Sequence, residues 1–238
     1  MDKYTSKKQN MSIILMQGIL PLCIYYLVNQ CVIILGISTI QLGLPNLQTD
    51  SMIEMYLRIA VQMTGMFLAA FSLLPFYKRE TKIFEKTEEK QGENTLSVRN
   101  GFLIVFMGAL FSLGLNFMFS VLGFLQSSPG YNQVAQRQFS LPFWLAFLFY
   151  GILSPWAEEL VFRGVFYRVL KRNMAEAAAV LGSALMFGAF HGNLVQFLYG
   201  SMMGVVMALL YGRFQNLLAP VLFHGAANIA IYTVSYFF

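Results

Sequence analysis

The sequence predicts an all-α, polytopic transmembrane helical bundle of about seven spans, with its N-terminus in the cytoplasm and its C-terminus outside. Three observations carry that expectation. Only 11% of the 238 residues are charged while 57% are hydrophobic, and the mean hydropathy is +0.60. Soluble domains sit nearer a quarter charged, so this chain could not cover a globule of its own size with polar surface. Apolar runs recur at the roughly 20-residue length that crosses a hydrocarbon core about 30 Å thick. Lys and Arg alternate from loop to loop, as orientation in a membrane requires. The excess of aromatic and flexible side chains (23 Phe, 12 Tyr and 14 Met) suits lipid contact, interfacial anchoring and adaptable packing.

The apolar runs fall at about 12–37, 55–77, 101–125, 141–171, 175–191, 194–212 and 216–237. The first follows Lys3, Lys7 and Lys8 and so resembles a secretory leader. It is too long for a leader's apolar region and no Ala-x-Ala site follows it, so it reads as a retained anchor. It carries the only cysteines, Cys23 and Cys31. Eight positions apart on one helix, they are separated by roughly 12 Å of rise. They cannot pair within a straight helix and read as buried packing thiols.

The 38–54 connection has no Lys or Arg, and Arg58 lies near enough to the outer end of the second run to snorkel. The 78–100 segment holds Lys78, Arg79, Lys82, Lys86, Lys90 and Arg99 among Glu, Gln and Thr, and reads as a solvated cytoplasmic connector, with a short surface helix as the alternative. The 126–140 connection has only Arg137. Arg168, Lys171 and Arg172 follow the fourth run and Arg213 the sixth, which puts 13 of the 16 Lys and Arg on one side. Small residues recur at i,i+4 in two stripes, Ala184, Gly188 and Gly192, then Gly200, Gly204 and Ala208. Such stripes let helix backbones approach closely in lipid. No internal repeat, Gly-rich phosphate loop or nucleic-acid motif is present, so the lipid bilayer is the expected partner and nucleic acid is not.

Ionisable groups inside a span cost roughly 2.5–3.5 kcal/mol each at a helix centre, and three clusters lie there. The first is Glu158-Glu159 with Arg163. Glu159 and Arg163 are i,i+4 and share a face, so they can pair. Glu158 is turned about 100° away and keeps no built-in counter-ion. A carboxylate left unpaired in a poorly solvated site can act as a base. The second cluster is Phe187-Gly-Ala-Phe-His191, and the third is His224-Gly-Ala-Ala-Asn228, whose polar ends again share a face. His191 and His224 are the only histidines. Helical rise allows all three clusters one shared layer within the membrane, where a water-filled cavity would be needed. A snorkelling charge cluster and packing histidines remain the plain alternatives for each cluster taken singly.

Together the clusters resemble the CPBP family, also called Abi, which comprises CaaX prenyl endopeptidases and bacterial relatives that include bacteriocin-immunity and peptide-processing proteins. Its Glu-Glu-x-x-x-Arg element is matched by Glu158, Glu159 and Arg163, its Phe-x-x-x-His element by Phe187 and His191, and its His-x-x-x-Asn element by His224 and Asn228. The resemblance covers roughly residues 140–238 and implies a catalytic membrane core there. Residues 1–125, including the cytoplasmic loop 78–100, would form a variable N-terminal transmembrane region. It further implies a glutamate-dependent intramembrane endopeptidase. Glu158 and His191 would activate a water, His224 and Asn228 would stabilise the oxyanion, and Glu159 with Arg163 would form a structural and tuning pair.

No cofactor is required in that scheme. A divalent metal is the chemical rival: zinc would take Glu158, His191 and His224, although no His-Glu-x-x-His helix is present. Rivals of other classes are a non-enzymatic bacteriocin-immunity or peptide-binding membrane protein and a proton-coupled transporter. Short loops without organelle signals point to a bacterial plasma membrane.

Overall fold

The computed structural model describes residues 11–47, 51–87, 96–139 and 141–237, without the side chains of 85–87 and 137. Lys3, Lys7, Lys8 and Lys90, and the side chains of Lys86 and Arg137, therefore lie outside the described residues. Every regular element among the described residues is helical. Six helices are long and apolar enough to cross a membrane: α1 (Met11–Gly43), α2 (Met52–Ser72), α4 (Val98–Val121), α6 (Phe143–Asn173), α8 (Leu194–Phe214) and α9 (Leu218–Phe237). A seventh apolar helix, α7 (Glu176–Ala189), is shorter, and two amphipathic helices, α3 (Leu74–Thr87) and α5 (Pro129–Phe139), connect the others.

Local chemistry sets the helix starts. The Ser51 and Ser97 hydroxyls accept from the backbone N–H of Glu54 and Asn100, at 3.2 Å each, opening α2 and α4. Asn193 Oδ1 accepts from Gln196 N at 2.9 Å and opens α8. Each satisfies a backbone donor that a helix N-terminus leaves unpaired. The end of α7 differs from expectation. The helix stops at Ala189, so His191 lies in the turn beyond it, and Gly192 takes φ +77, a conformation that disfavours a side chain.

The centre of the bundle is α6. Of its most apolar stretch 56% lies inside the protein, against 22% for α1 and for α2. Those outer helices pair with one another and show lipid-type surfaces; Leu35 on α1 and Phe71 on α2 are largely exposed. Cys23 and Cys31 are exposed as well, which corrects their expectation as buried packing thiols: α1 lies at the edge of the bundle, with little of its surface covered. The α4 helix packs along α9, and α7 along α8. Two stretches of α6, Phe147–Leu153 and Leu160–Tyr167, are π-helical, with one more residue per turn than the α-helix allows.

The 78–100 segment also departs from a solvated connector. Its first part continues as α3, which follows α2 almost directly and docks on α6. Arg172 Nη1 pairs with the buried Glu80 at 2.6 Å, and Arg172 Nη2 donates to Gln17 at 2.9 Å. Arg168 bonds the Tyr211 hydroxyl and Thr81, with its guanidinium over the Tyr77 and Phe84 rings at 5.1 and 5.2 Å. Alternating charge concealed this docking face, because Glu80 looks like any other member of a solvated run.

The small-residue stripes pack within the bundle. A Cβ on Gly188 would stand 2.4 Å from the Phe197 carbonyl, and one on Gly204 2.8 Å from Ala184 Cα. Gly192, the last member of its stripe, meets nothing within 4 Å and serves the turn instead. Gly108 closes α4 onto α9, where a Cβ would stand 2.3 Å from the Phe223 carbonyl. Those obstacles are backbone and cannot swing aside. Gly188→Val and Gly108→Val should each lower stability by about 1–3 kcal/mol or more, read as a lower midpoint of thermal unfolding in detergent. Gly114→Val on the exposed face of α4, where a Cβ meets nothing within 4 Å, should leave the midpoint unchanged.

Candidate active site

The middle of α6 supplies four polar groups at helical spacing. Ser154 precedes Glu158 by one turn and its hydroxyl donates to Glu158 Oε1. Glu159 precedes Arg163 by one turn, and the two pair at 2.8 Å with neither side chain exposed. Glu159 faces inward onto a cation, as its i,i+4 spacing with Arg163 predicts, and Glu158 lines a cavity.

Arg163 has more partners than the glutamate. Its Nη2 donates to the Gly204 carbonyl on α8 at 3.1 Å, and its guanidinium carbon lies 4.7 Å from the centre of the Phe187 ring on α7. Glu159 Oε1 also lies 3.0 Å from His224 Nδ1 on α9. Glu159 is thus more than an intrahelical ion pair, because it holds a histidine from another helix. The far ring nitrogen, His224 Nε2, is 4.0 Å from Glu158 Oε2. One imidazole spans the two carboxylates.

His191 is fixed differently. Its Nδ1 lies 2.9 Å from the Phe187 carbonyl. A carbonyl only accepts, so Nδ1 carries a hydrogen, and in the neutral ring Nε2 is the acceptor. The Phe187 ring stands edge-on to both imidazoles, with centroids 5.0 Å from His191 and 5.5 Å from His224.

Asn228 follows from a break in α6. In the first π-helical stretch Ser154 N–H bonds Phe149 O. The next N–H in that register would belong to residue 155, which is proline and has none. Tyr150 O is left without a donor from its own helix, and Asn228 Nδ2 supplies one at 2.8 Å. This acceptor fixes the amide's orientation, with NH2 toward α6. One amide hydrogen is used there and the other stays available to the cavity that Asn228 lines.

Glu158, His191, His224 and Asn228 all line one cavity of about 220 Å³. At about 30 Å³ per molecule in the liquid, that holds several waters. Its walls add Ser154, Asn116, Gln138, Tyr150 and Tyr199, none of which stood out in the sequence. Two carried a usable signal: Ser154 lies one turn before Glu158, and Asn116 is the amide inside the apolar run of α4. The tyrosines carried none. Among the described residues no three of His, Cys, Asp and Glu converge closely enough to hold a metal ion. As arranged here, Glu158, His191 and His224 do not form such a group.

Fold and site together define a polytopic membrane protein with a carboxylate–histidine–amide cavity inside the helical bundle. Residues 140–230 match the family model Rce1-like, described as Type II CAAX prenyl endopeptidase Rce1-like. The match agrees with the CPBP/CaaX resemblance and contains every residue of the three clusters, with Ser154 and Tyr150. It is a family of membrane peptidases, and the C-terminal part of this chain is similar to it. No curated protein and no solved structure matches the chain.

Removing one member of a buried ion pair strands the other charge, typically at about 3–5 kcal/mol. Arg163→Ala should therefore lower the thermal midpoint sharply. The double variant Arg163→Met with Glu159→Leu should recover part of that loss, because neither charge is then left behind.

Proposed function

We propose that the protein is an intramembrane endopeptidase that cleaves a membrane-associated peptide or protein with a water activated by Glu158 and His191. The observation that carries this reading is that Glu158 and His191 line one cavity large enough for several waters, while Glu159 is committed to Arg163 and His224. A proton acceptor and a water-orienting lone pair are what hydrolysis needs at the same place.

Glu158 takes a proton from the water as its oxygen bonds to the scissile carbonyl carbon, and His191 Nε2 accepts the water's other hydrogen bond. The carbonyl electrons move onto oxygen. The second amide hydrogen of Asn228 and His224 Nε2–H donate to that oxyanion, as preorganised donors do. In this scheme His224 carries hydrogens on both ring nitrogens. Glu158, Glu159, Arg163 and His224 then carry no net charge together, which suits a low-dielectric site. Collapse of the intermediate breaks the C–N bond, and the proton held by Glu158 passes to the leaving amine. Ser154 holds Glu158 in its rotamer throughout.

The test is cleavage of membrane-anchored peptides by purified protein, with thermal unfolding confirming that each variant is folded. Glu158→Gln and His191→Ala should each lose about 10²-fold or more of the rate, the scale on which general-base catalysis operates. Ser154→Ala should lose less. A chelator should leave the rate unchanged. A wild-type-like rate in Glu158→Gln would sink the mechanism. A cellular phenotype that survives this substitution would favour the non-enzymatic immunity or peptide-binding reading.

A further inference from the structure

We propose that the catalytic cavity opens on the extracytoplasmic face of the membrane, so that its substrate is the outward-facing, translocated segment of a membrane-anchored or exported peptide. The substrate class rests on the peptidase reading above; the sidedness does not.

The direction of the cavity follows from where its walls lie along each helix. From Glu158, near the middle of α6, the lining continues through Ser154 and Tyr150 toward the start of that helix. On α7 it runs from Phe187 to His191 at the helix end, and on α8 it runs back toward Gln196 at the helix start. All three ends lie on one face of the bundle, the face that carries α5 and the 190–193 turn. Gly130 of α5 sits there against Asn193, where an added Cβ would be 3.3 Å from Asn193 Cβ. In the opposite direction the bundle is closed. Phe162, Phe166 and Tyr167 of α6 and Met207 and Tyr211 of α8 are all at most 3% exposed.

A shortfall in α7 makes the hollow. Its 14 residues rise roughly 21 Å, about 9 Å less than the hydrocarbon core. Its start is held at the closed face by the tight 174–175 connection from α6, whose last turn is pinned to α3 by Arg172 and Glu80. The deficit therefore falls at the His191 end, and α5 lies over it, contributing Tyr131 and Gln138 to the walls.

Charge then identifies the faces. Lys78, Arg79, Lys82, Arg99, Arg168, Lys171, Arg172 and Arg213 all lie at the closed end. At the mouth end the described side chains include one cation, Arg58, which is paired with Glu54; the sequence adds Arg137. Positive charge marks the cytoplasmic face of a membrane protein, so the closed end is inside and the mouth is outside. A route from the cytoplasm would have to pass the buried core around Tyr167 and Tyr211.

The experiment uses the full chain in intact bacterial cells, with Cys23→Ala and Cys31→Ala as background. Gln133→Cys and Gln136→Cys sit on the exposed side of α5, and Lys82→Cys sits on the exposed side of α3. A membrane-impermeant maleimide should label both α5 variants in intact cells, and Lys82→Cys at least about tenfold less until the cells are permeabilised. The reverse pattern, equal labelling on both helices, or protection of both until lysis would each overturn the proposed sidedness. For the substrate class, an impermeant peptide that the purified protein cleaves should be cut by intact spheroplasts. Cleavage only after lysis would overturn it. If labelling is as expected yet no peptide is cut by the purified protein, the peptidase reading fails and the sidedness stands.

Discussion

A guanidinium with no access to solvent has to be neutralised by whatever surrounds it, and Arg163 collects its neighbours from across the C-terminal bundle. Glu159 comes from its own helix, the Gly204 carbonyl from α8 and the Phe187 ring from α7. Through Glu159, His224 of α9 joins the set. Four helices are thereby tied to one charge. Apolar packing alone leaves helices in lipid free to choose among rotations, since lipid tails are as apolar as the core side chains. Directional bonds to a buried cation exclude most of those rotations. Here they leave Glu158, His191, His224 and Asn228 facing one space. The close contact at Gly204 serves the same end, because Ala184 can approach α8 only where no side chain intervenes.

A second constraint acts on the backbone of α6. Pro155 withholds a hydrogen bond one residue after a π-helical turn, and the carbonyl it leaves exposed takes Asn228 as its donor. An unsatisfied carbonyl in a lipid environment costs several kcal/mol, so the amide of α9 is drawn to one height on α6. Asn228 thus has a bonding role in the resting protein beside its place at the cavity wall. The histidines are similarly committed at one nitrogen each, to Phe187 O and to Glu159, which fixes the nitrogen that meets the cavity.

Much of this was readable without coordinates, because the rules concerned are local or periodic. Span length, charge asymmetry and the i,i+4 spacing of Glu159 with Arg163 depend only on neighbours along the chain. The phase difference between Glu158 and Glu159 survived the π-helical turns, since the two residues are adjacent. What escaped depended on packing between helices. Glu80 is buried only because Arg172 and Gln17 meet it from elsewhere. Cys23 and Cys31 are exposed because α1 lies at the edge of the bundle. The end of α7 at Ala189 shows only in Gly192, whose position in a small-residue stripe read as packing. The cavity tyrosines are indistinguishable in sequence from the membrane-facing ones.

The π-helical turns of α6 give the central helix a tolerance that α7, α8 and α9 lack. Each wide turn stores one residue more than an α-helix needs to join the same two ends. Loss of one residue within Phe147–Leu153 can be absorbed by tightening the turn, with Glu158 and Arg163 kept at their angular positions. The same loss between Phe187 and His191, or between His224 and Asn228, has no wide turn to absorb it and swings the following residues by about 100°. Insertions and deletions in related chains should therefore accumulate in the first half of α6, ahead of the glutamates. The motif lengths on α7 and α9 should be held fixed.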